Sequence, residues 1–517
     1  MDLSSQPILI DIPEQPPQDQ PEPPRGKAKL RTVDRQQTTL GIIYVEELIP
    51  PDHKARAIWD LTGRLDLSGF TEALRTAQGC PGRPAWDPRL LVSLWVYAYS
   101  EGIGSAREIE RVMQWEPGMQ WLGGLEAVNH HTLSDFRVDH REALDELFAQ
   151  LLALLETEGL VNLEQVMHDG TKIRAQAGAD SFRREKSLQE RLQQARQAVA
   201  QMGDPAAPAP AKDRLRAARE RAARECAARL EAAWQQLTAR QAEQKTDQEK
   251  AAVRVSLTEP EARQMKHRDN AIAPSYNAQI STEAEHKIIV GAHLSQCSSD
   301  ANSLMPALAE VERNLGQKPA QAVVDGGFTN RGNIRECASE GIDLVGSLPD
   351  PKERSAAAMK SLGIDAAFAP SQFRILDHGE RLECPAGCSL ERLRESRKRG
   401  DLYQQYQARG EDCGACRYQA QCCPQSGQKG RTVSVKITEQ EDVAAFRKKM
   451  ETEESRAVYR RRGEVAEFPN AWIKEKLGLR KFHVRGLVKA GSELLWACLT
   501  YNIMQWKRLK WGQAAVA

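Results

Sequence analysis

The chain runs to 517 residues, too many for one compact core, so roughly two to four domains are expected. Apolar residues make up 41 % and charged residues 28 %, an ordinary composition for a soluble protein. The net charge of +1 does not exclude a nucleic-acid partner, because the basic residues are clustered and local patches, not the sum, bind phosphate.

The longest apolar run, Leu90 to Tyr99, is interrupted by Ser93 and is too short to cross a bilayer. The acidic, Pro-rich start lacks the basic-then-apolar pattern of a secretory signal. A cytosolic protein is expected. Its eleven cysteines should then be largely reduced, which makes metal binding the first function to consider for any cluster of them.

Residues 1–40 carry PEQPPQDQPEPP and almost no large apolar side chains. They cannot bury enough surface to offset ordering and read as a disordered arm. From 41 to 158 the pattern is helical. LLVSLWVYAYSEG reads as a buried helix, and SAREIERVM opens with Ser105 and Glu108 at capping-box spacing. HTLSDFRVDHREALDELFAQLLALLETEGL reads as a short helix and a long amphipathic one, with Leu144, Leu147, Phe148, Leu151 and Leu155 on one face. This all-α unit is either a packing or dimerising bundle or a helix-turn-helix-like DNA reader; the residues alone do not choose.

EQVMHDGTKI is a short apolar run that reads as a strand ending in Asp169. Between 182 and 254, RREKSLQERLQQARQAVAQ and DRLRAARERAARECAARLEAAWQQLTARQ are long Ala/Arg/Glu/Gln-rich helices. MGDPAAPAPAK between them cannot be helical. The segment is an inserted helical hairpin. It is either a solvated antiparallel coil, in keeping with its mixed charge, or an arm that meets DNA through its arginine surplus.

SYNAQIST and HKIIVGAHLS alternate and predict an antiparallel pair. SLMPALAEVERNLG predicts a helix, AQAVVDGG a strand ending in Asp325, NIRECASEG a helix and IDLVGSL a strand. This order makes a mixed α/β sheet with helices packed on it. Carboxylates at the C-terminal ends of its strands stand where open α/β sheets place their sites.

CPAGC holds Cys384 and Cys388, and CGACRYQAQCC holds Cys413, Cys416, Cys422 and Cys423. The C-x-x-C pair Cys413/Cys416 lets two thiolates share one tetrahedral ion, and the loop-rich surroundings need a staple. The favoured reading is a structural, zinc-ribbon-like site held by Cys384, Cys413, Cys416 and Cys422, with Cys388 and Cys423 as competitors. The bland alternative is a set of free thiols in an exposed loop.

Cutting a phosphodiester with two metal ions requires hard oxygen ligands that converge. Asp169 and Asp325, each closing a strand and followed by glycine, suit that role, although a lone strand-end aspartate is usually a turn residue. A third acid lies in YRRRGEVAEFPNAWIKEKLGLRKFHVRG. Pro469 suits the first turn of a helix, and Glu467 and Lys474 share a face if the helix runs through both. Tyr459, Arg462, Lys474, Arg480, Lys481 and Arg485 surround the acid with cations and one aromatic, as a site for a polyanion needs. Arg480, Lys481 and Arg485 could equally be a solvated face. His130, His131 and His168 are read as structural.

In WDPRLLVSLWVYAYSEGIGSAREIER, HHTLSDFR, HDGTKIRAQAG, SLTEPEARQMK, APSYNAQI, VVDGGF and the Tyr/Arg/Glu/Lys string, taken in that order from about Ile42 to Trp511, the chain resembles the bacterial insertion-sequence DDE transposases. It is most similar to the cysteine-bearing, IS eleven-eighty-two type. The resemblance implies an α/β ribonuclease-H-like catalytic core with an all-α N-terminal domain, the helical hairpin and a small zinc-ribbon-like insertion. It makes Asp169, Asp325 and Glu467 the acids that hold two Mg²⁺ or Mn²⁺ ions, and Tyr459, Arg462 and Lys474 the DNA-contacting signature. The spacing from Arg462 to Glu467 is one residue longer than the common form, and Glu464 is the one rival to Glu467, without its spacing to Lys474.

The implied division is a helical DNA-binding domain at 41–158 and a catalytic core in three parts (159–181, 255–370 and 433–511). The hairpin at 182–254 and the cysteine module at 371–432 interrupt that core. The implied partners are double-stranded DNA, both transposon ends and target, and a second copy of the chain. A non-catalytic DNA-binding repressor or decayed copy, and a related nuclease without strand transfer, are the alternative functions.

Overall fold

The computed structural model describes residues 42–71, 84–202, 214–348, 359–398, 401–424, 429–438 and 441–511. The expected Pro-rich arm at 1–40 and the turn at 203–212 lie outside them. Among the described residues no helix is long and apolar enough to cross a membrane.

Six helices open the body: α1 (Lys54–Thr62), α2 (Pro88–Ser100), α3 (Ala106–Val112), α4 (Pro117–Gly123), α5 (His130–Asp139) and α6 (Arg141–Thr157). Asp87 caps α2 by accepting from the Arg89 amide at 2.8 Å, with Pro88 at the first helical position. Every side chain from Leu90 to Tyr99 is buried, so α2 is apolar on all sides because it is surrounded on all sides. In α6 the predicted stripe of Leu144, Leu147, Phe148, Leu151 and Leu155 is buried. Each such side chain stabilises the fold by about 1.5–3 kcal/mol relative to exposure. Ser105 does cap α3, but its side chain makes no capping hydrogen bond, so the predicted box is not closed.

The main sheet is built from β1 (Gln165–Arg174), then β4 (Arg263–Lys266), β5 (Ile272–Glu283), β6 (Ile289–Ser295), β7 (Gln321–Val324) and β8 (Asp343–Gly346). Between β1 and β4, the short pair β2 (Phe182–Arg183) and β3 (Val255–Ser256) joins the base of a hairpin made by α7 (Glu185–Met202) and α8 (Arg214–Ala242), with α9 (Asp247–Ala252) following. That hairpin has its own small core of Leu188, Leu192, Leu230, Ala233 and Leu237.

β1 lies at the centre of the main sheet. On one side it pairs antiparallel with β5, whose far edge carries β4 and β6; on the other it pairs parallel with β7, and β7 with β8. Helices α10 (Leu304–Leu315) and α11 (Arg331–Ser339) make the crossovers into β7 and β8, as parallel neighbours require.

A second, five-stranded antiparallel sheet follows: β9 (Arg374–Leu376), β10 (Arg381–Glu383), β11 (Ser389–Lys398), β12 (Asp401–Ala408) and β13 (Thr432–Thr438). Two short helices, α12 (Gly410–Gly414) and α13 (Gln419–Cys422), stand between its last two strands. Fully buried Asp401 receives Arg331 from α11 and Lys436 from β13. This joins the second sheet to α11 through a buried charge compensated by cations.

The chain returns through α14 (Glu441–Met450), α15 (Glu453–Glu475) and α16 (Leu487–Trp506). Helix α16 is buried almost throughout and packs on α2, α5, α6 and β6. One apolar core therefore runs from Ile58 and Trp95 in the first helices, through Tyr276 and Ile289 in the sheet, to Trp496 and Trp506. Buried Glu493 of α16 lies 3.6 Å from Arg137 of α5, and Trp496 Nε1 donates to the Arg137 carbonyl at 3.2 Å.

Candidate active site

The register of the parallel strands sets the site. The last paired residues of β1 and β7 are His168 and Val324. The next residue on each chain is an aspartate, Asp169 and Asp325, so the two acids stand side by side where β7 stops. The prediction that the first strand ends at Asp169 is corrected here: β1 continues to Arg174, because its antiparallel pairing with β5 persists through Arg174↔Ser275. Only the parallel partner ends. The edge of β1 between Asp169 and Arg174, where the 480–482 segment joins it, has no strand partner among the described residues, and that gap is the candidate site.

Asp169 is 8 % exposed. Its Oδ1 accepts from the Gly170 amide at 3.0 Å and its Oδ2 from the Asn470 side-chain amide at 3.1 Å. Burial pushes its carboxyl up to about 6, with Arg462 opposing the rise and Asp325 adding to it. Half-buried Asp325 is held by the Gly327 amide on its Oδ1 at 2.7 Å, while its own carbonyl accepts from the Thr329 hydroxyl at 2.9 Å.

Glu467 comes from α15. That helix starts at Glu453 behind the cap Thr452, whose Oγ1 accepts from the Ser455 amide, so Pro469 lies inside the helix and not in its first turn. The proline has no N–H to offer the carbonyl one turn earlier. The helix nevertheless runs through both Glu467 and Lys474, as their spacing requires.

Asn470 bonds Asp169, and Lys474 bonds the Thr171 hydroxyl. Four helical residues rise about 6 Å and two strand residues about 6.6 Å, so α15 lies along β1 in matching step. Glu467 lies one turn before Asn470 on the same helix. Its carboxylate is half exposed and lies 3.7 Å from Arg462. Glu464 points elsewhere, to Lys287 at 2.8 Å.

Among the described residues, no three carboxylates of Asp169, Asp325, Glu467 and Asp300 (the last in the loop between β6 and α10) come within 4.8 Å of one another. Gly327 keeps space beside Asp325: a methyl group on it would stand 3.0 Å from Asp325 Oδ1. Hard oxygens around a gap, with Asp169 held above the ordinary aspartate range, form a donor set that fits divalent cations.

The cations predicted to meet DNA divide into two groups. Arg462 is mostly covered and lies 6.0 Å over the Tyr459 ring. Burial, with Arg268 and Arg480 nearby, holds the Lys474 ammonium down to about 8, and Asp169 partly offsets this. Arg480 and Lys481 run beside the end of β1, where the Phe482 amide donates to the Arg174 carbonyl at 2.9 Å and the Arg174 amide to the Arg480 carbonyl at 3.2 Å, and Arg480 is paired with Glu475. Arg485 is exposed, just ahead of Gly486. Sequence reasoning missed Asn470, Arg268 and Asp300. Asn470 had a usable signal, because it lies three residues after Glu467 on the same helical face. Asp300 had none, since it lies in a loop.

Six cysteines meet at one end of the second sheet. Cys384, Cys388, Cys413, Cys416, Cys422 and Cys423 line one cavity of about 20 Å³ together with Phe368, Leu390 and Arg431. The Cys388 amide donates to Cys384 Sγ at 3.2 Å, and the Arg431 amide to Cys413 Sγ at 3.4 Å. Among the described residues no three of the thiols lie within 4.8 Å of one another. Cys422 packs on Ile364 and Phe368, and burial pushes its thiol up to about 11.

Two family models match the chain: a "Transposase domain" over residues 43–139 and a "Transposase DDE domain" over residues 383–506. None of the curated proteins matches it. Among solved structures, a cryo-EM structure of a piggyBac transposase synaptic complex with hairpin DNA is 8 % identical. That alignment covers 88 % of this chain and 81 % of that one at a TM-score of 0.23, too low to relate the two folds. With one transposase domain among its first helices and a transposase DDE domain that takes in β11 to β13, α15 and α16, the chain is a DDE transposase of the insertion-sequence kind.

Proposed function

We propose that the chain cuts DNA at the ends of an insertion sequence of the IS eleven-eighty-two type and joins the freed 3′ ends to target DNA. Asp169, Asp325 and Glu467 are the carboxylates that hold its divalent ions, Mg²⁺ by preference and Mn²⁺ as substitute. The observation that supports this most is the point where β7 stops beside β1, which sets Asp169 next to Asp325, while the helix bonded to Asp169 through Asn470 also bears Glu467, 3.7 Å from the Arg462 that acts on Asp169. Three antiparallel strands continued by two parallel ones across β1 support a ribonuclease-H-like core.

Two ions in that gap would neutralise the scissile phosphate and activate the attacking water or 3′-hydroxyl. The chain's own residues do the rest. Asn470 fixes one oxygen of Asp169, leaving the carboxylate to turn its charge into the gap. Arg462 and Tyr459 present a cation and a ring to a phosphate or base beside Glu467. Lys474, with Arg480, Lys481 and Arg485 beyond it, extends positive charge past the end of β1 and holds the backbone of the same duplex. The helices at 41–158 bind the element's ends, and the second sheet is an insertion stapled by Zn²⁺ through Cys384, Cys413, Cys416 and Cys422 or their neighbours Cys388 and Cys423. Two ends cut together call for at least a dimer.

The test is strand cleavage and joining on DNA carrying the element's terminal repeats, in Mg²⁺ and in Mn²⁺. Cleaved and joined product with the native chain, and none with Asp169→Asn, Asp325→Asn or Glu467→Gln, is expected. Cleavage without joining would replace this reading with a plain nuclease, and binding without cleavage would replace it with a repressor.

A further inference from the structure

We infer that Asp300, in the loop between β6 and α10, is a fourth carboxylate of the same metal site; the inference rests on the metal reading above. Asp300 approaches the gap from the opposite face of β1. Strand neighbours alternate sides, so Asp169 and Thr171 face α15 while His168, Gly170 and Lys172 face the other way. Gly170 has no side chain on that second face, and Asp300 fills the vacancy: a methyl group on Gly170 would stand 2.6 Å from Asp300 Oδ1. At the end of β7, Asp325 Oδ1 and Asp300 Oδ2 lie 3.0 Å and 3.8 Å from the position a methyl on Gly327 would take. Both faces of β1 thus deliver an acid to the place where β7 stops.

The hydrogen bonds hold Asp300 as a ligand is held. Its Oδ1 accepts two side-chain amides, Asn277 Nδ2 at 2.7 Å and Gln279 Nε2 at 3.0 Å, both from β5. The Gln279 amide is itself oriented, because its Oε1 lies 2.9 Å from Nε2 of buried His168, whose Nδ1 lies 2.9 Å from the Ser281 hydroxyl. Because the Gln279 Nε2 donates to Asp300, its Oε1 is left to accept from His168 Nε2, and this contact turns the NH₂ to Asp300. One oxygen is fixed by this chain of side chains, and Oδ2 is left toward Asp325. Among the described residues no lysine, arginine or histidine forms an ion pair with Asp300. A carboxylate anchored on one oxygen by neutral amides, with the other turned toward a second acid, is the outer-shell pattern that orients metal ligands.

The experiment is a Mn²⁺ titration of the full chain without DNA, read as the rise in melting temperature that a ligand of the folded state produces. Asp300→Asn keeps an acceptor for Asn277 and Gln279 and is expected to need at least tenfold more Mn²⁺ for half the rise, as is Asp169→Asn. Gly170→Ala retains every acid but pushes Asp300 aside, and the same loss is expected from it, which covers a failure of Asp300→Asn to fold. Wild-type response in both Asp300→Asn and Gly170→Ala, with Asp169→Asn impaired, overturns the role of Asp300 alone. A native chain that does not respond to Mn²⁺ overturns the metal reading and this inference with it.

Discussion

The side-chain amide of Asn470 donates to Asp169 at 3.1 Å across the interface of α15 and β1, and it does so from one helical turn beyond Glu467. The bond ties the acid from the strand to the helix that supplies the third acid. Asn470→Ala removes a buried partner worth about 1 kcal/mol and frees the Asp169 carboxylate to rotate. Cleavage should fall roughly tenfold or more while binding of the ends changes little. Equal loss of binding and cleavage in gel-shift and strand-cleavage assays would show that Asn470 only supports the fold.

Asp169 trades stability for chemistry. Its carboxyl, ordinarily near 3.8, sits at about 6 in the folded chain, so the native state holds the extra proton between those values. Stability from this group is full below the lower value and is lost as pH rises to about 6. By pH 7.5 the ionised group costs about 3 kcal/mol at most. Asp169→Asn should therefore raise the metal-free melting temperature at pH 7.5 and leave it little changed near pH 4, while abolishing cleavage. Denaturation scans at the two pH values check it.

As a metal ligand in the proposed site, the same group should set an acid limit on activity. An ion must displace the Asp169 proton below about pH 6. Cleavage at fixed Mg²⁺ should fall roughly tenfold per pH unit below that point and recover with more metal. A pH profile unmoved by metal concentration would remove Asp169 from the ligand set.

Lys474 sets the alkaline limit. Its ammonium loses its proton near pH 8 in the free protein, below the ordinary lysine value. The folded chain thus gains stability as pH rises from about 8 toward 10.5, while the charge available to phosphate declines. End binding should weaken between pH 8 and 9.5, and Lys474→Arg, which keeps its charge, should flatten that slope. Fluorescence anisotropy with a labelled end duplex is the measurement.

The cysteine cavity predicts bound zinc. Elemental analysis of the purified chain should give about one Zn²⁺ per copy, and Cys413→Ser should release it and lower the melting temperature. Cys422→Ser, at the thiol packed on Ile364 and Phe368, should retain more metal than Cys384→Ser. Full zinc content in Cys413→Ser would rule out that ligand.

Much of the sheet was legible because its strands carry regular burial: AQAVVDGG ends at Val324 just ahead of its acid, and the helices before and after it fall where their caps and periods put them. The end of β1 was not legible. TKI after Asp169 is as suitable for a strand as what precedes it, and only the length of β7 makes Asp169 a site residue. Pro469 misled for a related reason: proline signals a first turn, yet packing of α15 against β1 carries the helix through it. Asp300 depends wholly on tertiary placement, since nothing in QCSSDANS marks it apart from other loop aspartates.

The single core that joins the first six helices to α16 and the sheet has a mechanical consequence. On the proposed reading, DNA held by those helices would not swing independently of Asp169, because Arg137, Glu493 and Trp496 tie the first helices to α16. Each copy of the protein would then act as a gauge of fixed span, with the position of the cut counted off from the gripped sequence by the length between them.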